Sequence, residues 1–154
     1  MNTPAPLPHL TALKPYRAAD GIAARFNLSA NEACLGASPL ARAAARSATD
    51  RLASYPDGSA AELRDTIGQR YGLNPAFVVC SAGSEELISL IVHAYAAPGD
   101  QVLFSEYGFI KYELAARAYG AVPVRAPEAD FKANVDALLA AVTPRTRILF
   151  LADP

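Results

Sequence analysis

The sequence predicts an α/β protein with a mainly parallel sheet, and three observations favour this class. Strand-like and helix-like segments alternate from residue 77 to residue 151, which is typical of repeated β-α-β units. Of the 154 residues, 52% are hydrophobic and 19% are charged, as in an ordinary globular domain. A chain of this length also buries enough apolar surface to form a core without disulfide bonds or metal ions.

Residues 1–37 predict an extended N-terminal arm. They contain four of the twelve prolines and show no sustained hydrophobic periodicity. Such an arm packs against something else and is not a domain by itself. Residues 38–154 are expected to form a partial α/β domain. We expect it to be incomplete at its C-terminal end, because the chain stops three residues after an apolar strand.

A helix is predicted to begin after Ser38. Serine is a typical N-cap residue, and Pro39 suits the first helical position because its missing N–H would have no partner there. Small and apolar residues then repeat every four positions, which predicts an amphipathic helix. These residues are Leu40, Ala44, Ala48 and Leu52.

A second helix is predicted after the turn at residues 55–58. Ser59 and Glu62 match a capping box, in which each side chain satisfies the other's backbone donor. Gly72 is a typical residue to follow a helix, and Asn74-Pro75 prevents the helix from continuing. The predicted buried stripe consists of Leu63, Ile67 and Tyr71.

The remainder of the chain alternates between strands and helices. Strands are predicted at residues 77–80, 101–104, 121–125 and 147–151, and helices at residues 84–96, 109–119 and 135–142. Parallel strands need crossover connections, so helices are expected on both faces of the sheet. The last strand is apolar from residue 148 onward and is expected to be central and buried.

Charge and composition exclude several classes of partner. The net charge is −1, from 14 basic and 15 acidic residues, so the chain lacks the basic surface typical of nucleic-acid and anionic-membrane binding. Residues 87–97 form the longest apolar stretch, which is too short to span a membrane. Residues 1–13 contain neither a basic leader nor an apolar run. We therefore expect a cytoplasmic protein with no nucleic-acid or membrane partner.

Few isolated side chains predict chemistry of their own. Cys34 and Cys80 lie far apart and the chain has two histidines, so no metal site is predicted and both thiols are expected to be reduced and inert. His93 is expected at the core or its rim. The three lysines are expected to be solvated. They are Lys14, Lys111 and Lys132.

The segment 81–86 is the strongest candidate for a binding site. Gly83 and Ser84 lie where a predicted strand meets a helix, and the free N–H groups of a first helical turn can bind a phosphate. The alternative is that Ser84 is an N-cap and that Glu85 and Glu86 are acids favoured by the helix dipole. Their carboxylates would repel a phosphate unless they turn away. The segment matches neither the dinucleotide fingerprint nor the Walker loop.

The loop at residues 105–109 is a second candidate. It follows the next predicted strand, and carboxyl ends of parallel strands lie at one edge of a sheet, where ligands of α/β proteins bind. Its aromatic residues, Tyr107 and Phe109, are suited either to stacking on a planar ring or to packing at the start of the helix. Both interpretations stay open at this point.

The order of several motifs resembles that of the histidinol-phosphate aminotransferases. The resemblance covers almost the whole chain, and the motifs are more specific together than any one alone. They are Leu13-Lys14-Pro15-Tyr16, Asn27-Leu28-Ser29-Ala30-Asn31-Glu32, Ser54-Tyr55-Pro56-Asp57-Gly58, Ala82-Gly83-Ser84-Glu85-Glu86, Pro98-Gly99-Asp100, Thr143-Pro144-Arg145-Thr146-Arg147 and Phe150-Leu151-Ala152-Asp153-Pro154.

The resemblance implies a fold type I enzyme that depends on pyridoxal 5'-phosphate (PLP). Members of this family are homodimers that transfer an amino group between glutamate and an imidazole-bearing phosphorylated ketone in histidine biosynthesis. By position, Gly83, Ser84 and Glu85 would bind the cofactor phosphate through their backbone. Phe109 would stack on the pyridine ring, and Tyr55 would reach the phosphate of the neighbouring subunit.

The resemblance also implies a substrate pocket bordered by the N-terminal arm, with Tyr16, Asn31 and Glu32 at its edge. Two segments depart from the family pattern, Ala33-Cys34-Leu35-Gly36 and Glu106-Tyr107-Gly108. These departures leave open a relative that acts on aromatic amino acids or decarboxylates a phosphorylated threonine.

No catalytic residue is assigned within the chain. The family's Schiff-base lysine, and the aspartate that pairs with the pyridine nitrogen, come later than the motifs matched here. The chain is therefore expected to be the N-terminal part of such an enzyme and inactive by itself. One alternative is a noncatalytic α/β module that binds a phosphorylated small molecule or a partner subunit. Another is a generic nucleotide-binding domain, which the missing fingerprints disfavour.

Overall fold

The computed structural model describes residues 5–14 and 32–152. By their contacts, these residues divide into two compact units, residues 32–78 and residues 5–14 with 79–152. The predicted boundary between an arm and a domain at residue 37 stays a prediction. Tyr16 and Asn31, predicted to border a substrate pocket, lie outside the described residues.

The described residues form α-helices, parallel strands and two short 3-10 helices. The α-helices are α1 (Pro8–Thr11), α2 (Pro39–Ala48), α3 (Ala61–Tyr71), α4 (Ser84–Tyr95), α5 (Ile110–Ala118) and α6 (Val135–Ala140). The strands are β1 (Gln101–Ser105), β2 (Val122–Ala126) and β3 (Thr146–Phe150), and the 3-10 helices are Thr49–Arg51 and Pro75–Phe77. Within the described ranges, no helix is long and apolar enough to cross a membrane.

Helix α2 begins as the sequence predicts. The Ser38 hydroxyl accepts a hydrogen bond from the N–H of Ala41 at 3.1 Å, and Pro39 is the first helical residue. The helix has no buried residue among those described, and Leu40 is 84% exposed. Leu52, predicted on the same stripe, lies beyond the end of the helix and is 80% exposed. The amphipathic face of α2 is therefore uncovered within the unit of residues 32–78.

Helix α3 is capped by a different residue from the one predicted. The Asp57 carboxylate accepts hydrogen bonds from the N–H groups of Ser59 and Ala61, each at 2.9 Å, and from the Ser59 hydroxyl. The predicted capping box of Ser59 and Glu62 is wrong, because the Ser59 N–H, which the Glu62 carboxylate would have to bind, donates to Asp57 instead. The helix begins at Ala61. It ends before Gly72, at φ +67°, as predicted.

The face of α3 that packs is also displaced from the predicted stripe. Leu63 and Tyr71 are 52% and 71% exposed, and the buried residue is Gly68. A Cβ at Gly68 would lie 2.8 Å from the carbonyl oxygen of Leu73, so the returning chain lies directly against the helix. The Arg64 guanidinium donates to the carbonyl oxygen of Pro75 at 2.7 Å on the same face.

Residues 77–80 do not form the predicted strand. Pro75–Phe77 is a 3-10 helix, capped by the side chain of Asn74, which accepts from the N–H of Ala76 at 2.9 Å. Val78 that follows has extended dihedral angles. No strand of the described residues pairs with it, and an extended segment forms a strand only through such pairing.

The three strands form a parallel sheet in the order β2-β1-β3, which confirms the α/β class. All five residues of β1 are buried, because β1 has a strand on each side and helices on both faces. Strand β3 lies at an edge in the described residues, with Leu149 45% exposed and Leu151 beyond it 56% exposed. The expectation that β3 would be central and buried is therefore wrong.

Helices cover both faces of the sheet, as the sequence predicts. On one face, α4 and α5 pack with Phe104 and Ile148 around Val92, which is fully buried. On the other face, Leu138 of α6 packs against Leu103 and Ala126.

Helix α5 is also joined to β2 through charges. The Glu113 carboxylate binds Arg125 of β2 and Arg117 one turn along the helix. The hydrogen bond from Arg125, followed by that from Arg117, holds the pKa of Glu113 below its ordinary value against the opposing effect of desolvation. This ion pair fixes α5 to an edge of the sheet.

Candidate functional site

The candidate phosphate site lies at the start of α4. Gly83 is the residue before the helix, with φ +91° and ψ 176°, a conformation that side chains rarely permit. The Ser81 hydroxyl donates to the carbonyl oxygen of Gly83 at 2.7 Å and holds the turn. An added Cβ at Gly83 would meet nothing within 4 Å, so the position needs glycine for its backbone angle and not for space.

The first N–H groups of α4 are available to a ligand. No side chain caps this helix, and Gly83 occupies the cap position. The alternative that Ser84 is the N-cap is therefore wrong, because Ser84 is the first helical residue. Within residues 5–14 and 32–152, the N–H groups of Ser84 and Glu85 have no hydrogen-bond acceptor.

Both acidic side chains of this turn have bonding partners. The Glu86 carboxylate accepts from the N–H of Ala82 at 2.7 Å. The Glu85 carboxylate forms an ion pair with the Lys111 ammonium of α5 at 3.1 Å. The expectation that Lys111 is solvated is wrong, since its side chain is 23% exposed. The Glu85 carboxylate is thus held toward α5, whereas the Glu86 carboxylate stays at the turn and occupies one of its backbone donors, the N–H of Ala82.

The aromatic candidate, Phe109, lies at the start of α5. It occupies the N-cap position of that helix and is 43% exposed. The centre of its ring lies 5.9 Å from that of Tyr112, with the two planes at 86°. The Tyr112 ring in turn stacks on Phe150, with 4.5 Å between ring centres and 5° between planes. Sequence reasoning did not identify Tyr112 as a residue that supports Phe109. Its position three residues after Phe109, about one helical turn, was the signal available for it.

Gly108 lets this loop turn closely. Its N–H donates to the carbonyl oxygen of Ser105 at 2.8 Å, and a Cβ here would lie 2.9 Å from that same oxygen. The departure from the family pattern at this position is therefore accommodated by a tight backbone turn. The turn leads directly into Phe109.

Tyr107 packs on Phe131 and not on the Phe109 ring. Its side chain contacts Phe131 at 5.4 Å between ring centres, and its N–H donates to the Glu128 carboxylate at 3.2 Å. Asp130 and Phe131 have φ of +51° and +58°, so the turn that supports Tyr107 is strained. These contacts favour packing for Tyr107.

The Glu85–Lys111 ion pair brings the starts of α4 and α5 side by side. Lys111 is the second residue of α5, which begins directly after Phe109. The structure therefore brings together Gly83, Ser84, Glu85 and the helix that Phe109 begins. This end of the two helices lies where β1 ends and its following loop starts.

The other predicted site residues belong to the unit of residues 32–78. Tyr55 is fully exposed, at 102%, in the segment between α2 and α3. Glu32 is exposed at the beginning of the described part of that unit. Each is accessible within its own unit.

The remaining candidates have no sign of chemistry. The His93 ring stacks on Tyr119 at 4.6 Å, which agrees with a place at the rim of the core. Cys34 is exposed and Cys80 is half-buried, and both are free thiols. Between residues 5 and 14 and between 32 and 152, no cluster of three or more histidine, cysteine or acidic side chains could hold a metal ion.

Comparison with curated proteins shows close relatives. The chain is 51% identical to the histidinol-phosphate aminotransferase of Paramagnetospirillum magneticum over 158 aligned residues, which is 100% of this chain and 44% of that protein. It is 46% identical to the histidinol-phosphate aminotransferase of Rhodospirillum centenum, with the same coverage of each. The chain thus spans less than half the length of these relatives.

Solved structures show the same fold. Histidinol-phosphate aminotransferase from Sinorhizobium meliloti, solved in complex with pyridoxal-5'-phosphate, matches with a TM-score of 0.77 and 28% identity over 81% of this chain and 34% of that one. Aspartate aminotransferase from Thermus thermophilus matches with a TM-score of 0.75 over 96% of this chain and 41% of that one, at 23% identity. The second likeness concerns the fold alone.

Protein families give the same result over most of the sequence. The family described as aminotransferase class I and II matches residues 24–154. This match covers α2 to β3, including the start of α4 and the loop before α5. The chain therefore belongs to the aminotransferase class I and II family.

Proposed function

We propose that the chain is the N-terminal part of a PLP-dependent aminotransferase that moves an amino group between glutamate and imidazole acetol phosphate, a step of histidine biosynthesis. The observation that carries this proposal is the open turn at Gly83, Ser84 and Glu85, whose backbone donors are free while both nearby carboxylates are engaged. The identity of 51% with a histidinol-phosphate aminotransferase supports the choice of substrate class.

The residues present fit the cofactor. A phosphate group prefers uncapped backbone donors at a helix start, where the helix dipole is positive, and α4 offers such donors at Ser84 and Glu85. A planar pyridine ring needs a partly exposed aromatic face, and Phe109 is 43% exposed at the start of the neighbouring helix. These residues would hold PLP at its phosphate and at its ring.

When bound, PLP supplies an aldehyde and an electron-withdrawing ring that stabilises negative charge on the substrate carbon. The residues of this chain bind and orient. The α4 turn fixes the phosphate end, and Phe109 restricts the plane of the ring with support from Tyr112. None of these groups accepts or donates the reacting proton, so the assigned residues of this chain have no catalytic role.

The proposal includes a homodimer. Tyr55 reaches the cofactor phosphate of the neighbouring subunit, and its full exposure within its own unit supports that role. Tyr16, Asn31 and Glu32 border the substrate pocket. The amino donor is glutamate, the acceptor is a phosphorylated ketone, and the location is the cytoplasm.

The test is an amino-transfer assay of the protein expressed from its own gene, with glutamate and imidazole acetol phosphate. We expect PLP-dependent formation of histidinol phosphate, and weaker activity with an aromatic keto acid as acceptor. A preference for the aromatic keto acid would contradict the substrate assignment. Binding of PLP with no amino transfer to any acceptor would favour the noncatalytic phosphate-binding module instead.

A further inference from the structure

The ion pair between Lys111 and Glu85 is a charged contact beside the phosphate site, and the proposed function gives Lys111 itself no role. The Lys111 ammonium lies 3.1 Å from the Glu85 carboxylate, and the two side chains are 23% and 60% exposed. Lys111 is thus the more buried partner. It is anchored on α5, which packs on the sheet through the fully buried Ala116.

The two acids of the first turn differ in what holds them. The Glu86 carboxylate is held by a backbone N–H of the same turn, that of Ala82. The Glu85 carboxylate is held by Lys111, and no other cation of the described residues lies within ion-pair distance of it. Glu85 therefore depends on a neighbouring helix for its orientation, whereas Glu86 does not.

A free carboxylate at this position would oppose a phosphate. A phosphate ester carries about −1.5 to −2 charges near neutral pH, and like charges at short range repel. The N–H of Glu85 is one of the donors proposed for the phosphate, so its own side chain is a source of such repulsion beside the site. An ammonium that holds this carboxylate on the α5 side reduces that repulsion and leaves the N–H exposed.

We propose that Lys111 is a positioning residue for the cofactor phosphate, which acts by holding and neutralising the Glu85 carboxylate. This inference rests on the proposed function, because it requires that the α4 turn binds a phosphate. It goes beyond that function by giving a role to a side chain on a different helix. The role is indirect, since Lys111 acts through Glu85.

The test compares equilibrium binding of PLP and of pyridoxal, which lacks the phosphate, to the apo form of the protein expressed from its own gene. The variants are Lys111→Met, Glu85→Gln and the two combined. Lys132→Met is the control, because it removes a positive charge from an exposed lysine that has no ion-pair partner among the described residues. Circular dichroism checks that each variant is folded.

We expect Lys111→Met to weaken PLP binding and the additional substitution Glu85→Gln to restore it. Lys111→Met should weaken PLP binding by about threefold to fivefold, the range of a partly exposed ion pair, and leave pyridoxal binding unchanged. Glu85→Gln should bind PLP no more weakly than the wild type, and the double variant should return to the Glu85→Gln value. Lys132→Met should match the wild type for both ligands.

Three outcomes would overturn the inference alone. If the double variant stays as weak as Lys111→Met, the lysine contacts the phosphate directly or supports the fold. If Lys111→Met equals the wild type, the ion pair has no role in binding. If Lys111→Met does not fold, Glu85→Gln tests the inference by itself. Weaker PLP binding by Glu85→Gln would contradict repulsion between the Glu85 carboxylate and the phosphate. A wild type without preference for PLP over pyridoxal would overturn the proposed function itself, and with it this inference.

Discussion

Gly83 shows how one backbone conformation creates the candidate site. Its φ of +91° turns the chain into the start of α4, where the N–H groups of Ser84 and Glu85 have no acceptor among the described residues. The sequence could predict this feature, because a glycine before a helix start is a local signal. The ion pair of Glu85 with Lys111 could not be predicted, since it depends on how α4 packs beside α5.

Replacing Gly83 with alanine should weaken both stability and phosphate binding. The backbone angle costs a side chain about 1–3 kcal/mol, and relaxation of the turn would misdirect the donors. We expect a lower midpoint of thermal unfolding and weaker binding of PLP, with pyridoxal less affected. The control is Gly99→Ala, because Gly99 also has a positive φ, of +88°, and an added Cβ there would also meet nothing within 4 Å. Gly99→Ala should lower stability only, and an equal loss of PLP binding there would contradict this account.

At the scale of elements, the start of α3 depends on the charge of Asp57. The N–H of Ala61, with the hydroxyl and the N–H of Ser59, holds the pKa of Asp57 below its ordinary value. Because the pKa is lower in the folded than in the unfolded chain, the stabilisation is complete above about pH 4 and is lost as the pH falls through the folded pKa. We expect Asp57→Asn to melt below the wild type at neutral pH, with the difference shrinking in acid.

The measurement is thermal unfolding by circular dichroism between neutral and acidic pH. Asp65→Asn is the matched control, because it removes an exposed carboxylate from the same helix without removing a cap. If the difference in unfolding midpoint between the wild type and Asp57→Asn grows as the pH falls, the cap does not depend on the charge of Asp57.

Helix α6 offers a test of the second face of the sheet. Leu138 is 3% exposed and packs against Leu103 and Ala126, whereas its neighbour Leu139 is 65% exposed. We expect Leu138→Ala to lower the free energy of unfolding by about 2–4 kcal/mol, because it leaves a cavity. Leu139→Ala should change it by less than about 0.5 kcal/mol. The measurement is chemical denaturation. Similar losses in the free energy of unfolding for the two variants would show that α6 does not cover the sheet.

The secondary structure was predictable where local signals decide it. The start of α2 follows from Ser38 and Pro39, and the end of α3 follows from Gly72. The strand predicted at residues 77–80 failed because pairing is a tertiary property that an apolar segment does not encode. The predicted cap of α3 failed for a different reason, since Asp57 takes the backbone N–H of Ser59 that Glu62 would have to bind.

At the scale of the whole molecule, the chain combines a parallel sheet with two helix starts at one end of it, and it matches its family over residues 24–154. The burial of the centre of β1 was predictable from the apolar run Val102-Leu103-Phe104. The edge position of β3 was not, because an apolar strand looks alike in the sequence whether one or both of its sides are paired.

The proposed role of Tyr55 across the dimer can be tested with mixed subunits. Gly83→Ala and Tyr55→Ala homodimers should each bind PLP weakly, for different reasons. A mixed dimer contains one site with an intact Gly83 turn and an intact Tyr55 from the other subunit, so half of its sites should recover wild-type affinity. Mixed dimers without recovery would place the action of Tyr55 within its own subunit.

The most direct test of the central claim is a nuclear magnetic resonance titration of the ¹⁵N-labelled apo-protein with PLP, pyridoxal and inorganic phosphate. The claim is that the backbone at the start of α4 binds the cofactor phosphate. It predicts that the amide signals of Gly83, Ser84 and Glu85 shift with PLP and with inorganic phosphate, and far less with pyridoxal. Amide shifts of equal size with PLP and pyridoxal, or phosphate-dependent shifts confined to other parts of the chain, would contradict it.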